Sequence, residues 1–251
     1  MDSSGWADSL VWLGIGVTAV ALVLLALAPA GWRLGLWHFR TSFFFLIPGS
    51  VLLALVGAMA GVSALFAGGK TFGPGEVTLA AISILVGIGL AAALGQFKRA
   101  ADRVPRIHDI TTDTANPPQF RAVLPARQVE RANPTDYGGA EIAKKQTAAY
   151  PDIVPLVSSR TSGVAFAKAL EAADDMPGWR IVAQDPAMGQ IEATETSRWF
   201  GFADDIVIRI AAAGTGSRVD VRSTSRQGIS DLGVNAARIR AFMARLGPQL
   251  R

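Results

Sequence analysis

The chain has 251 residues, of which 50% are hydrophobic, and it carries a net charge of +4 and no cysteine. The lack of cysteine excludes disulfides, cysteine-ligated zinc, iron–sulfur centres and thiol catalysis. The positive excess is small and dispersed, whereas a nucleic-acid-binding surface usually clusters its Lys and Arg, so we expect no nucleic-acid partner.

Charge is distributed unevenly along the chain. All but three of the 24 Lys/Arg and all but three of the 20 Asp/Glu lie at or after Lys98. Before that point the chain has three charge-free apolar runs, Leu10–Ala30, Phe43–Phe66 and Val77–Phe97. A helix that spans a bilayer needs about 20 apolar residues. The sequence therefore predicts a transmembrane domain over residues 1–98, with the lipid bilayer as partner, and a soluble domain over 99–251.

The first apolar run has a second interpretation, a cleaved signal peptide, because Ala28-Pro29-Ala30 resembles a small-residue cleavage site. The residues before the run include Asp2 and Asp8 and no Lys or Arg, whereas a signal peptide begins with positive charge. The run is also long for a signal sequence. We expect a retained helix.

Small residues recur at four-residue spacing in the second and third runs, as Gly57/Gly61 and Gly87/Ala91/Gly95. Such faces allow helix backbones to approach closely in lipid, so they predict helix–helix association, either within one chain or between chains.

No ionisable residue lies inside the three runs. Because transport pathways usually contain such residues, this pattern disfavours a transporter or pump.

Basic residues near the helix ends predict the orientation, because cytoplasmic loops are enriched in Lys and Arg. One side of the membrane would carry six of them, and the other side only Lys70; the six are Arg33, Arg40, Lys98, Arg99, Arg103 and Arg106. We therefore expect the inner membrane of a bacterium, with the N-terminus outside and the soluble domain on the cytoplasmic face.

The soluble half begins with a stretch rich in turn formers, which predicts an irregular connector over 99–150. A regular pattern follows, with helices predicted from Ser162 to Asp175 and from Ser230 or Asp231 to Leu246. Between them lie four strand-like runs, Trp179–Gln184, Gly189–Thr196, Phe202–Ala211 and Arg218–Thr224. These elements predict an α+β domain, an antiparallel sheet of about four strands flanked by two helices.

The first polar segment of interest is 106–113. His108 is a candidate base or metal ligand, with Asp109, Thr111 and Asp113 beside it. The only other histidine is His38, in the first membrane loop, so a metal site here would need mostly oxygen ligands and zinc is not expected. We predict no metal site. The alternative is a loop in which the Asp and Thr side chains stabilise turns.

The second polar segment, 222–238, joins the last strand to the last helix. Arginines and hydroxyls before a helix N-terminus predict an anion site, although a carboxylate at Asp231 would repel an anion and could instead cap the helix. The candidate residues here are Arg222, Ser223, Ser225, Arg226, Ser230, Asp231, Asn235 and Arg238. Asp231, Asn235 and Arg238 share one helix stripe, where structural pairing is the alternative to function.

Four segments together resemble the DUF1499 family, a domain of unknown function. They are Arg106–Phe120, Tyr150–Ile153, Phe200–Ile210 and Arg218–Phe242. The resemblance covers about Arg106–Leu246 and leaves the three apolar runs outside it. It implies that the connector from Arg106 belongs to the folded domain. Some similar proteins carry only an export or lipid-anchor signal, which would place the domain outside the cytoplasm.

Two functions remain open. The chain contains no recognisable nucleophile–base set, dinucleotide-binding loop or phosphate-binding loop, which favours a non-catalytic, membrane-tethered binding or accessory module for an unknown protein or small molecule. No cofactor is expected. The alternative is a hydrolase-like or transferase-like enzyme whose site joins segments 106–113 and 222–238.

Overall fold

The computed structural model describes residues 3–251, so Asp2, used above against a signal peptide, lies outside the described residues, as does the side chain of Lys70. The chain divides into two compact units. The first ends at Ala101 and the second comprises Asp102–Arg251.

The first unit is helical. Its elements are α1 (Ser3–Arg33), α2 (Phe39–Thr41), a π-helical turn (Ser42–Leu46), α3 (Ile47–Gly68), a 3-10 turn (Gly69–Thr71) and α4 (Pro74–Asp102). Three continuous stretches, Gly5–Arg33, Phe39–Gly68 and Pro74–Asp102, are long and apolar enough to cross a membrane. Each extends a few residues beyond the corresponding apolar run, because charged and aromatic flanks continue the helix.

Glycines lie where helices of the first unit approach closely. A Cβ at Gly57 on α3 would lie 2.8 Å from the carbonyl oxygen of Gly14 on α1, and one at Gly61 would lie 2.8 Å from that of Ala80 on α4. A Cβ at Gly87 on α4 would likewise collide with the Ala54 carbonyl of α3, whereas Gly95 has open space around it. Only glycine fits at the first three positions without moving a backbone.

The second unit is an α+β domain. Its strands are β1 (Asp109–Thr111), β2 (Leu156–Ser158), β3 (Trp179–Asp185), β4 (Gln190–Thr196), β5 (Ala203–Ala213) and β6 (Gly216–Ser225). Its helices are α5 (Leu124–Val129), α6 (Gly139–Ala149), α7 (Ser162–Asp174) and α8 (Val234–Leu246), followed by a 3-10 turn (Gly247–Leu250). The stretch predicted as an irregular connector thus contains β1, α5 and α6.

The strands form one six-stranded antiparallel sheet in the order β1-β6-β5-β4-β3, with β2 also paired to β6. The prediction of about four strands was wrong. The two missed strands have three residues each, too few to show alternation in the sequence. Both pair with β6, β2 along Ser217–Val219 and β1 along Arg222–Thr224.

One face of the sheet carries the main hydrophobic core. Ile191, Ile206, Ile208 and Val221 are buried there by residues of α7 and α8. Small side chains on α7 and large ones on α8 fill the space; they are Ala165, Ala169, Ala172, Ala173, Ile239, Phe242 and Leu246. Period-two alternation in the strands and a helical stripe in α8 thus meet in one core.

The opposite face of the sheet is polar, yet it is also buried. Its strand residues include Glu192, Asp205 and Arg222, each at most 2% exposed. The chain between Thr112 and Thr135 crosses this face and adds a small apolar cluster of Phe120 and Val123 on Val207. A buried charge is tolerated only when it is paired and hydrogen-bonded. This requirement organises the candidate site.

Candidate functional site

Segments 106–113 and 222–238 are brought together by backbone pairing. β1 runs antiparallel to the end of β6, so that Asp109 lies opposite Thr224 and Thr111 opposite Arg222. Just past β6, the N–H of Asp231 donates to the carbonyl oxygen of Ile107 at 3.0 Å. Because side chains alternate along β6, the candidate residues divide between the two faces of the sheet.

Arg222 and Asp109 form a fully buried pair on the polar face. Arg222 Nε donates to Asp109 Oδ1 at 3.0 Å, and Nη2 donates to Oδ2 at 2.6 Å. Two further N–H groups donate to the carbonyl oxygens of Pro118 and Thr135. The guanidinium also lies over the Phe120 ring, 5.1 Å from its centroid. Arg222 therefore holds the crossing segment on the sheet, and four of its five N–H donors are used within the domain.

Asp205 receives hydrogen bonds from two arginines. Arg127 Nη1 donates to its Oδ2 at 2.7 Å, while Arg226 donates from Nε at 2.9 Å and from Nη2 at 2.7 Å. Thr194 adds a fourth hydrogen bond at 2.7 Å. Burial acts to raise the pKa of Asp205, but the hydrogen bonds from Arg226, Thr194 and Arg127 outweigh it and hold the pKa below its usual value.

Glu192 secures the start of α5. Its carboxylate accepts the backbone N–H groups of Arg121, Ala122 and Val123 at 2.8 to 3.1 Å. These N–H groups stand at the N-terminal end of the helix, where no intrahelical partner is available. A single carboxylate on β4 thus satisfies three backbone donors of the crossing segment.

Asp113 belongs to a more exposed cluster at the other end of the same face. Its Oδ2 accepts from Arg209 at 3.1 Å and from Arg218 at 2.8 Å, and both arginines also bind Asp220. Its Oδ1 accepts the backbone N–H of Asn116 at 2.9 Å, so the side chain also stabilises the turn after Asp113. The backbone N–H and carbonyl oxygen of Thr111 each form a hydrogen bond with the Gln146 side chain on α6.

On the helix-covered face, Asn235 and Arg238 form another buried group of hydrogen-bonded polar side chains. Asn235 accepts from Ser223 Oγ at 2.7 Å and donates to Ser225 Oγ at 3.1 Å. Arg238 donates to Ser223 at 3.0 Å, to Glu195 at 2.6 Å and to Asp204 at 2.8 Å. Burial acts to lower the pKa of Arg238, but Asp204 and Glu195 outweigh it and raise the pKa.

Asp231 and Ser230 shape the entry to α8. The Asp231 carboxylate accepts the N–H groups of Gly233 and Asn235, both at 2.9 Å, and Ser230 Oγ accepts that of Leu232 at 3.3 Å. Burial raises the pKa of Asp231 despite these hydrogen bonds. The carboxylate thus occupies the helix N-terminus that an anion would otherwise bind.

His108 has a different environment, because it is partly exposed and lines a cleft of about 250 Å³. Its carbonyl oxygen accepts from Asn235 and from the N–H of Ser225, and its Nδ1 lies 3.5 Å from Thr224 Oγ1. The cleft is lined by both apolar and ionisable side chains; its lining residues are Arg106, Ile107, His108, Asp109, Pro134, Asp136, Gly138, Ile142 and Ile229. Arg222, Arg226 and Asp231 are not among them.

Several residues of these groups were not predicted from the sequence. They include Arg127 and Asp205, which pair with each other, Glu192, which binds backbone N–H groups, and Arg209 of the partly exposed Asp113 cluster. The sequence carries little signal for them: Glu192 between Ile191 and Ala193 fits the usual alternation of a strand with one solvent-facing side. Nothing local shows that this side is covered and that its charges need partners.

Comparison with known proteins gives one match. The model of a family described as a protein of unknown function, DUF1499, matches residues 109–246, more than half of the chain. No curated protein and no solved structure matches the chain.

Proposed function

Because the chain belongs to the DUF1499 family, whose function is unknown, we propose from its own residues that it is a membrane-anchored, non-catalytic binding module. Three helices long and apolar enough to span a bilayer would provide the anchor. The binding surface would be the His108 cleft, and its occupant a small molecule or a segment of another protein.

One observation carries the proposal. The arginines and carboxylates that would make a polar catalytic site are already hydrogen-bonded to each other or to the backbone, as in the pairs Arg222–Asp109 and Arg226–Asp205. To act on a substrate, such a group would have to break its buried hydrogen bonds, and this would leave its charged partner unpaired, which is costly. A cleft in which apolar side chains stand beside polar groups that could orient a ligand is typical of a binding site.

The alternative is a hydrolase-like or transferase-like enzyme. The residues that line the cleft support this alternative. His108 lines the cleft together with Asp109 and Asp136. Imidazole and carboxylate groups are the usual acids and bases of enzymes. In that case His108 would transfer the proton, whereas Arg222 would only fix the position of Asp109.

The two functions differ in whether a bound compound is consumed. Full-length protein in detergent would be incubated with a small-molecule extract, and both the retained and the free compounds would be followed over time by mass spectrometry. For a binding module, we expect a compound to be retained without a change in its total amount. Retention should fall in Asp136→Arg, which reverses one charge of the cleft.

Time-dependent consumption of a compound by the native protein, together with no consumption by His108→Ala, would contradict the proposal. The matched control is His38→Ala, which removes the other of the two histidines. An enzyme that uses His108 as its base should lose its turnover in the first variant and keep it in the second.

We further propose that the anchor lies in a bacterial inner membrane, with the N-terminus outside and the domain on the cytoplasmic face. The support is the excess of Arg and Lys after the first and third helices, at Arg33, Arg40 and Lys98–Arg106. The glycine faces of α3 and α4 would serve association of the helices.

A further inference from the structure

The loop between β6 and α8 exposes three large apolar side chains. Ile229 is 58% exposed, Leu232 42% and Val234 48%. They fall within six residues, whereas single exposed apolar residues scattered over a surface need no explanation. A group of this kind marks a contact surface.

The loop is held in place rather than extended into solvent. Asp231 at its centre donates its N–H to Ile107 and accepts two N–H groups from the start of α8. Leu232 adopts a left-handed conformation with φ of 56°, which leucine rarely adopts. The surrounding hydrogen bonds therefore impose a backbone that presents the Leu232 side chain outward.

The loop packs against the first residues of the second unit. A Cβ built at Gly233 would lie 3.4 Å from Cγ1 of Val104, so the loop packs beside Val104. Val104 follows Asp102, the last residue of α4, by two residues. Two residues span at most about 7 Å. Gly233 therefore packs within two residues along the chain of Asp102, where α4 ends and the second unit begins.

The charges around this point complement a lipid surface. Arg103 and Arg106 are exposed between the end of α4 and β1. Basic residues beside a membrane helix are attracted to anionic headgroups. Apolar side chains flanked by arginines are the combination that binds at a bilayer interface.

We propose that Ile229, Leu232 and Val234 insert into the headgroup region of the bilayer that holds the helices, with Arg103 and Arg106 on anionic lipid phosphates. This inference rests on the membrane anchoring of the proposed function. Ile229 and Arg106 also line the His108 cleft. The cleft would therefore open at the membrane surface, within reach of lipid-soluble or membrane-bound ligands.

The absence of cysteine allows a direct test, because a single introduced cysteine takes a nitroxide spin label uniquely. Full-length Leu232→Cys and Ile229→Cys would be reconstituted in nanodiscs of phosphatidylcholine or of an equal mixture with phosphatidylglycerol. Collision of the label with oxygen, which partitions into lipid, would be compared with collision with a water-soluble nickel complex. We expect the oxygen-to-nickel ratio to be several-fold higher in both variants than in the control.

The control is Val157→Cys, which is 70% exposed on β2. Val157 pairs with Arg218 near the start of β6, and the loop follows Ser225 at the strand's other end, roughly 20 Å away at the rise of a strand. A ratio at Leu232 equal to that at Val157 would overturn the inference. So would low accessibility to both reagents, which would indicate a protein contact, as in self-association.

A second pair of measurements separates the loop from the anchor. We expect the Leu232 ratio to be higher with phosphatidylglycerol, and Arg103→Gln/Arg106→Gln should remove this difference between the two lipid compositions. A difference that persists would contradict the role of these arginines. Extraction of the same labelled protein from native membranes with alkaline carbonate tests the anchor. If the protein stays in the membrane but the Leu232 label is exposed to water, only the insertion of the loop is contradicted. If the protein is extracted, both the loop insertion and the membrane anchor are contradicted.

Discussion

At the scale of single residues, Arg222 is a strong test of the buried pairs. Its guanidinium is fully buried, and it is the charged partner that Asp109 binds through both carboxylate oxygens. Removal of one partner leaves a buried charge unpaired, which typically costs about 3–5 kcal/mol. We expect Arg222→Met to lower the free energy of unfolding of the full-length protein by that amount, as measured by denaturant titration in detergent.

The matched control is Arg245→Met. Arg245 pairs with Asp175 on the surface, where the two side chains are 41% and 63% exposed. Such a pair contributes at most about 1 kcal/mol. The double variant Arg222→Met/Asp109→Leu should regain much of the loss, because it removes both charges. Equal effects of the two single variants would contradict the structural role of Arg222.

Asp205 makes a prediction about pH. Its folded-state pKa lies below the usual value, so the folded protein binds a proton less readily than the unfolded chain. The stabilising contribution is therefore complete above the unfolded-state pKa of about 4 and is lost as the pH falls through the folded-state value. Asp205→Asn should be less stable at neutral pH and should show a flatter dependence of unfolding free energy on acidic pH.

Asp174→Asn is the control for Asp205, since Asp174 lies exposed at the end of α7. Because it breaks no buried hydrogen bond, it should change the neutral stability far less than Asp205→Asn does. If Asp205→Asn retains the full acidic slope of the native protein, another group is responsible for it.

At the scale of elements, the packing of α3 depends on close backbone approach. A side chain at Gly57 would meet the Gly14 carbonyl of α1, and separation of the two helices loses the packing that drives association in lipid. We expect Gly57→Leu to lower the thermal stability of the detergent-solubilised protein. Gly49→Leu on the same helix, where a Cβ meets nothing within 4 Å, should have little effect. Equal shifts would contradict this packing.

The segment from Thr112 to Thr135 behaves as an element although little of it is regular. It is fixed on the polar face by Arg222, which donates to the carbonyl oxygens of Pro118 and Thr135, by the pair Arg127–Asp205 and by the Glu192 carboxylate. An apolar layer over this face would bury its charged strand residues without hydrogen-bond partners, which is costly. The irregular chain suits it, because turns leave backbone carbonyls and N–H groups free to bind those charges.

At the scale of the whole molecule, orientation is the open prediction. We expect a reporter that is active only in the cytoplasm to function when fused to the C-terminus, and one that is active only outside to be silent. The reason is the excess of Arg and Lys that would remain on the cytoplasmic side. The reverse result would place the domain outside the cytoplasm and make lipids and exported proteins the first ligands to test.

The sequence by itself determined the features that depend on neighbouring residues. The three apolar helices follow from uninterrupted runs such as Val77–Phe97, because span length and lack of charge are local properties. The long strands and α8 follow from alternation and a helical stripe, as in Ile206, Ile208 and Ile210 of β5. The candidate segments 106–113 and 222–238 were identified by composition alone.

Only the tertiary structure decided how the polar residues pair. Asp109 and Arg222 are 113 residues apart in the chain, and Arg127 and Asp205 are 78 apart. No local pattern encodes such partners, because pairing depends on which strand face each side chain occupies and on what covers that face. The short strands β1 and β2 were missed for the same reason, since three residues form a strand only when β6 supplies the hydrogen bonds.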